Sequence, residues 1–153
     1  MIEKLEVRPV TSGDFAEWNI LWEGYNSFYG RKGETALRPE VVKMTWSRFF
    51  DSYEPVHAMV AVNSNKLVGL VHYLFHRSTI NIEPVCYIQD IFTTETARGN
   101  GVGHALLDKA SEHATNVGSK RIYWQTHESN SVAIRLYERV VEKSGFIVYS
   151  KNL

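Results

Sequence analysis

Tyr87-Ile-Gln-Asp-Ile-Phe-Thr93, followed by Thr94-Glu-Thr-Ala-Arg-Gly-Asn-Gly-Val-Gly103 and His104-Ala-Leu-Leu-Asp-Lys-Ala110, decides how the chain folds. An apolar strand here runs into glycines at alternate positions, Gly99, Gly101 and Gly103, which open an amphipathic helix. Glycine tolerates positive φ and lets a ligand approach the backbone, while the free N–H groups and dipole of a helix's first turn face an anion. The stretch predicts a phosphate cradle, and with it a phosphate-bearing cofactor.

Toward the C-terminus, Val102, Ala105, Leu106, Ala110, His113, Ala114 and Val117 recur at helical spacing, and Gly118 suits the helix end. Arg121 to Thr126 reads as a strand, so strand, helix and strand predict a right-handed crossover between parallel neighbours. Ser129 or Asn130 caps a further helix with Val132, Ala133, Leu136, Tyr137 and Val140 on one face. Gly145 to Tyr149 is expected to close the chain as a last strand.

Toward the N-terminus, Val85 to Thr93 follows two other extended runs, Val56 to Val62 and Leu67 to Phe75. Asn63-Ser-Asn65 between them suits a hairpin turn, because asparagine tolerates the left-handed region, and the three runs predict an antiparallel meander. Before them, Phe15, Trp18, Trp22, Tyr25 and Tyr29 form an aromatic stripe at helical spacing behind the capping pair Thr11 and Asp14. Trp18 and Trp22 read as core; Tyr25, Phe28 and Tyr29, at the helix end, fit a core face and a substrate wall equally. Pro39 starts a second helix with Val42, Trp46, Phe49 and Phe50 inward. Leu5 to Val10 is a first strand, with Pro9 suited to a sheet edge. His57, His72 and His76 read as structural residues of the meander.

The chain has 153 residues, enough for one core without staples, and one domain over residues 1–153 is expected. Seventeen basic and seventeen acidic side chains cancel, so no overall field attracts nucleic acid or an anionic membrane. The single cysteine, Cys86, lies inside an apolar strand and reads as a small core residue; no disulfide framework or cysteine zinc cluster is available, and no metal is expected. No apolar run is long enough to span a membrane, and the N-terminus alternates charged and apolar groups. A soluble cytoplasmic protein is expected.

The spacing of the glycines separates three kinds of phosphate loop. A nucleotide-hydrolysing P-loop needs a lysine and a serine or threonine after its last glycine, and none follows here. The dinucleotide fingerprint needs glycine where Leu106 or His104 stands, depending on frame. Arg98-Gly-Asn-Gly101-Val-Gly103 matches R/Q-x-x-G-x-G/A, and here the chain resembles the GNAT superfamily of acyl-CoA N-acyltransferases. The order of elements and the Asn130-x-x-Ala133-x-x-x-Tyr137 spacing resemble that family as well. Gln-Asp-Ile-Phe before the loop and Tyr-Trp-Gln-Thr-His-Glu-Ser-Asn after it are most similar to the small histone, polyamine and D-amino-acid N-acetyltransferases. Many of those carry Glu-Asp where this chain has Gln89-Asp90, which removes a base at position 89.

The resemblance implies an α/β (α+β) fold with a central mixed, mostly antiparallel sheet, a β-α-β crossover, splayed fourth and fifth strands, and helices on both faces. It implies acetyl-CoA as cofactor, its pyrophosphate held by Arg98, Gly99, Asn100, Gly101, Val102, Gly103 and His104. The pantetheine arm would run along the backbone of Ile91, Phe92 and Thr93, with Asn130, Ala133 and Tyr137 as further contacts. A neutral amine would attack the thioester directly in a ternary complex, which calls for a base, oxyanion donors and an acid for the thiolate. By family position Tyr137 is the acid, and a backbone N–H near Phe92 or Thr93 holds the oxyanion. Asp90 is the candidate base; Glu83 and Glu128 are other carboxylates near the predicted opening. Tyr25, Phe28 and Tyr29, with Glu23, are candidates to meet a small-molecule or peptide amine. A non-catalytic acyl-CoA-binding module is the alternative. A possible homodimer would share the edge Phe146 to Tyr149.

Overall fold

The computed structural model describes residues 4–153; the first three residues of the expected 1–153 domain lie outside it. Nine main elements follow in order: β1 (Leu5–Pro9), α1 (Phe15–Phe28), α2 (Pro39–Arg48), β2 (Val56–Asn63), β3 (Lys66–His76), β4 (Val85–Thr93), α3 (Val102–Asn116), β5 (Ile122–Trp124) and α4 (Ser131–Tyr137). The strands form one sheet in the order β1-β2-β3-β4-β5, antiparallel up to β4, with β5 joining parallel after the α3 crossover. Pro9 thus lies on an edge strand, where its missing N–H costs no ladder bond.

Local chemistry explains the boundaries. Ser64 and Asn65 take φ of 48° and 63°, the paired left-handed conformation that a two-residue hairpin between β2 and β3 requires. The Thr11 N–H donates to the Asp14 carboxylate at 2.7 Å just ahead of α1, and Pro39 occupies the first turn of α2. The predicted strand at Gly145 to Tyr149 does not form. Phe146 to Tyr149 are 71–86% exposed and pair with no strand. β5 is only three residues long, so it offers no ladder against which a sixth strand pairs, and α4 stops at Tyr137, short of Val140.

The sheet separates two cores. On one face, α3 packs Val102, Leu106 and Ala110 over Met59, Ala61, Val71, Tyr73, Cys86 and Ile88. On the other, Trp18, Leu21 and Trp22 of α1 cover Val60, Leu67 and Leu70. Leu70 and Leu106, both fully buried, each contribute about 1.5–3 kcal/mol of burial free energy. Gly69 lets α3 approach the sheet closely: a Cβ there would stand 2.8 Å from Val102 Cγ1 and 3.0 Å from the Phe92 carbonyl oxygen. The start of α3, and the loop before it, is therefore seated directly on β3.

Two irregularities in β4 position the candidate site. His72 pairs with Asp90 and Tyr73 with Ile88, so Gln89 is an extra residue, a β-bulge. Cys86 and Ile88 face α3, and unbroken alternation would send Asp90 and Phe92 the same way. The bulge instead turns Asp90 and Phe92 toward α1 and leaves Ile91 on the α3 side. Beyond Ile88 and Trp124, β5 no longer pairs with β4, so the rest of β4 has an open edge on that side. This is the splay between the fourth and fifth strands.

Candidate active site

Asp90 is where the bulge, the splay and the aromatic stripe of α1 meet. Its side chain is 10% exposed, and Oδ2 lies 3.0 Å from Nδ1 of the buried His72. On the far side of that ring, Trp18 Nε1 lies 3.0 Å from His72 Nε2. An indole nitrogen only donates, so Nε2 accepts, the ring proton sits on Nδ1, and that proton is given to Asp90. Trp22 and Phe49 pack edge-on and tilted against the same imidazole, at centroid distances of 4.8 and 4.9 Å. The carboxylate is thereby fixed from behind.

Tyr25 stands in front of it. Burial raises the Tyr25 phenol far above its ordinary value, and the nearby negative charge of Asp90 raises it further. The ring stacks on Trp22 at 5.1 Å, meets Phe92 edge-on at 6.5 Å and leans on Tyr29 at 5.0 Å. Gly24 makes room for Phe92, whose ring would lie 3.0 Å from a Cβ at that position. Phe28 packs edge-on against Tyr29 but is 59% exposed. Tyr137, on α4, is half-buried edge-on to Trp124 at 5.3 Å; burial raises its phenol, and the neighbouring Tyr29 raises it further. Tyr25 and Tyr29 of the α1 end thus gather beside Asp90 of β4, while Tyr137 of α4 packs with Trp124 against the α3-side core, within electrostatic reach of Tyr29.

The glycine loop lies at the end of the same strand. Gly99 and Gly101 both take φ of 79°, and Gly101 caps α3, whose first N–H groups, at Val102, Gly103 and His104, have no carbonyl one turn before them. Gly103 is different: its φ is not left-handed, and a Cβ there would meet nothing within 4 Å. Its missing side chain serves no internal packing and leaves an open approach to the free N–H groups. The Thr94 hydroxyl, at the loop's entrance, is buried without a hydrogen-bond partner. Arg98 donates from Nε to the Thr93 carbonyl at 3.3 Å and lies over Phe92, while Asn100 ties the loop to the Ala97 and Arg98 carbonyls. These features suit a diphosphate held by backbone donors.

Backbone alternation distinguishes the three residues of the expected cofactor track. The Thr94 N–H donates to the Val68 carbonyl at 2.9 Å, so two residues back the Phe92 N–H also faces β3. Ile91 and Thr93 face the open edge. On α4, the Asn130 side chain accepts from the Ala133 N–H at 3.3 Å and so serves as the helix cap. His104 lies exposed, 3.4 Å from Asp108.

Other candidates fall away from this convergence. Glu83 pairs with Lys120 at 3.0 Å at a sheet end, Glu128 is exposed, and Glu23 accepts from Asn19 on the helix surface. Cys86 is wholly buried, and burial pushes its thiol up to about 12, which leaves it an inert core residue at neutral pH. Among the described residues no cluster of three potential metal ligands exists, and no helix is long and apolar enough to cross a membrane. A cavity of about 370 Å³ at the other end of α3, beside His57 and His113, meets the site's surroundings at Phe49, behind the His72 ring. The residues least legible in sequence were His72 and Trp18: only the β3–β4 register, set by the Gln89 bulge, brings His72 to Asp90.

Comparison with known proteins agrees with the fold. Residues 18–141 match the model of the Acetyltransferase (GNAT) family. The chain is 31% identical to a D-amino-acid N-acetyltransferase of Saccharomyces cerevisiae, over 98% of this chain and 92% of the relative. An uncharacterized N-acetyltransferase of Bacillus subtilis is 24% identical, over 97% of this chain and 98% of its own. Among solved structures, AAC(6')-Iy in complex with the bisubstrate analogue CoA-S-monomethyl-acetylneamine superposes with a TM-score of 0.83 over 99% of each chain, at 12% identity.

Proposed function

The chain belongs to the GNAT family of acetyltransferases, and from that premise we propose that it transfers an acetyl group from acetyl-CoA to the primary amine of a small molecule, by direct attack in a ternary complex. The observation that carries this is the open edge of β4, which runs from the His72-braced Asp90, beside the aromatic wall of Tyr25 and Tyr29, into the glycine loop. Acetyl-CoA, when bound, supplies the activated acetyl group as a thioester. The whole of residues 1–153 would act as a single N-acetyltransferase domain.

Arg98 to His104 would hold the pyrophosphate through the free N–H groups at the start of α3, and Asn130 and Ala133 at the start of α4 would be further cofactor contacts. Of the track residues, Ile91 and Thr93 offer peptide groups to the pantetheine arm, while Phe92 shapes the wall through its ring. Asp90, braced by His72, accepts the proton of the incoming ammonium, so that the neutral amine attacks. The Thr93 N–H, turned to the open edge, would donate to the developing oxyanion. Tyr137, kept protonated by burial, would be the acid that donates a proton to the leaving thiolate. Tyr25, Phe28 and Tyr29 form the wall against which the acceptor lies.

Steady thiol release from acetyl-CoA with a panel of amino acids, polyamines, aminoglycosides and lysine peptides tests this. Release with at least one class is expected. Tight coenzyme A binding with no release across the panel would instead make the chain a non-catalytic acyl-CoA-binding module. A homodimer belongs to the same proposal: the apolar, exposed run Phe146 to Tyr149 offers unpaired backbone to a second copy. Sedimentation should find a dimer that Ile147→Lys reduces to monomer.

A further inference from the structure

Arg31, in the connector after α1, is held in place without a charge partner. Its Nε lies 2.6 Å from Asn26 Oδ1, and its backbone N–H donates to the Asn26 carbonyl at 2.9 Å. Asn26 is itself 4% exposed and anchored through Nδ2 to the Trp22 carbonyl at 2.8 Å. The guanidinium lies over the rings of Tyr25 and Tyr29, 5.8 and 5.6 Å from their centroids. Among the described residues no carboxylate lies within 4.0 Å of it. Fixing an arginine costs side-chain entropy, and here no internal ion pair offsets it.

With Nε engaged by Asn26, the two terminal nitrogens remain as a planar fork, the geometry that takes a carboxylate in two parallel hydrogen bonds. Tyr25 has this cation over its ring and, stacked on the Trp22 that packs against His72, lies near the Asp90 carboxylate. The acceptor wall therefore has a negative end and a positive end. A polyamine or an aminoglycoside would bring a second cation against Arg31 and be repelled; an amino acid places one charge of the right sign at each end.

We propose that Arg31 binds the carboxylate of the acceptor, whose ammonium faces Asp90, and that the acceptor is accordingly a free amino acid rather than a polycation or a peptide lysine. This rests on the acetyltransferase activity proposed above. Nothing in the arrangement selects the hand of the α-carbon, so both enantiomers belong in the test. Asn26 acts through Arg31 as a positioning residue.

The experiment compares phenylalanine, as each enantiomer, with phenylalanine amide, which keeps the amine and ring but lacks the carboxylate. KM and kcat are measured by thiol release for the natural chain, Arg31→Gln and Arg31→Lys. Arg31→Gln should raise KM for the acid about tenfold or more, the scale of one lost charged hydrogen-bonded pair, and leave KM for the amide and for acetyl-CoA unchanged. Arg31→Lys should restore part of the loss. Equal losses for acid and amide, or a rise in KM for acetyl-CoA alone, would overturn the role of Arg31. A natural chain that prefers the amide, or spermidine, would overturn the substrate class while leaving the acetyltransferase activity standing. No thiol release with any amine would overturn that activity as well.

Discussion

Trp18 and His72, 54 residues apart, are joined in the core by a hydrogen bond of 3.0 Å from the indole N–H to Nε2. It decides which imidazole nitrogen carries the proton, and so what Asp90 receives from behind. Trp18→Phe keeps the aromatic packing but strands a buried acceptor, which should cost about 1–3 kcal/mol in urea unfolding. Turnover should fall in the same variant with KM for acetyl-CoA unchanged. Full turnover would separate the Trp18–His72 pair from the work of Asp90.

Tyr137→Phe removes a hydroxyl and leaves the contact with Trp124. Turnover should drop on the order of a hundredfold, as for loss of a positioned acid, with coenzyme A binding nearly intact. The working form is the protonated phenol, and burial raises its pKa, so it deprotonates only as pH rises through that raised value. No descending limb attributable to Tyr137 is expected below about pH 10. A limb near neutrality that vanishes in Tyr137→Phe would contradict this.

Gly103 and Gly69 make opposite predictions. Gly103→Ala adds a methyl group in open space within a helix and should stabilise the fold by about 0.5–1 kcal/mol. It should nevertheless weaken coenzyme A binding, measured by calorimetry, because the methyl group stands beside the free N–H groups. Gly69→Ala meets Val102 and a backbone oxygen and should destabilise by about 1–3 kcal/mol. Stronger coenzyme A binding by Gly103→Ala would remove the loop from the cofactor site.

Asp14 joins Arg8 at 2.7 Å and the Thr11 N–H, and the Arg8 hydrogen bond lowers its pKa from 3.8 to about 2 despite partial burial. Because the folded value is depressed, its contribution is complete above about pH 4 and is lost as pH falls toward 2. Asp14→Asn should lose on the order of 1 kcal/mol at pH 7, a figure kept low by the partly exposed guanidinium. Denaturant midpoints of the two proteins should approach each other between pH 4 and pH 2. A gap independent of pH would assign the loss to the helix cap alone.

Much of this was legible because its causes are local. The aromatic stripe of α1, the Asn63 to Asn65 turn, Pro39 and the glycines each act within a few residues, and all appear where their spacing puts them. The inert placement of Cys86 followed from its apolar neighbours. Gly145 to Tyr149 misled because an extended apolar run becomes a strand only beside a partner, and pairing is not a local property. The role of His72 was hidden for the same reason, since it depends on register across two strands. That of Arg31 was hidden otherwise: its link to Asn26 is local, but the burial that fixes Asn26 comes from tertiary packing.

The bulge at Gln89 makes the chemistry of β4 a matter of parity. Identity along a strand tells which group is present, but an odd or even count tells which side of the sheet receives it. Were Gln89 taken into plain alternation, every downstream side chain would change sides, with Asp90 and Phe92 turned toward α3 and Ile91 in the aromatic wall; were Gln89 removed, Ile88 and Asp90 would become neighbours and the present sides would be kept. The bulge, rather than the side chain of Gln89, therefore keeps the site on its side of the sheet.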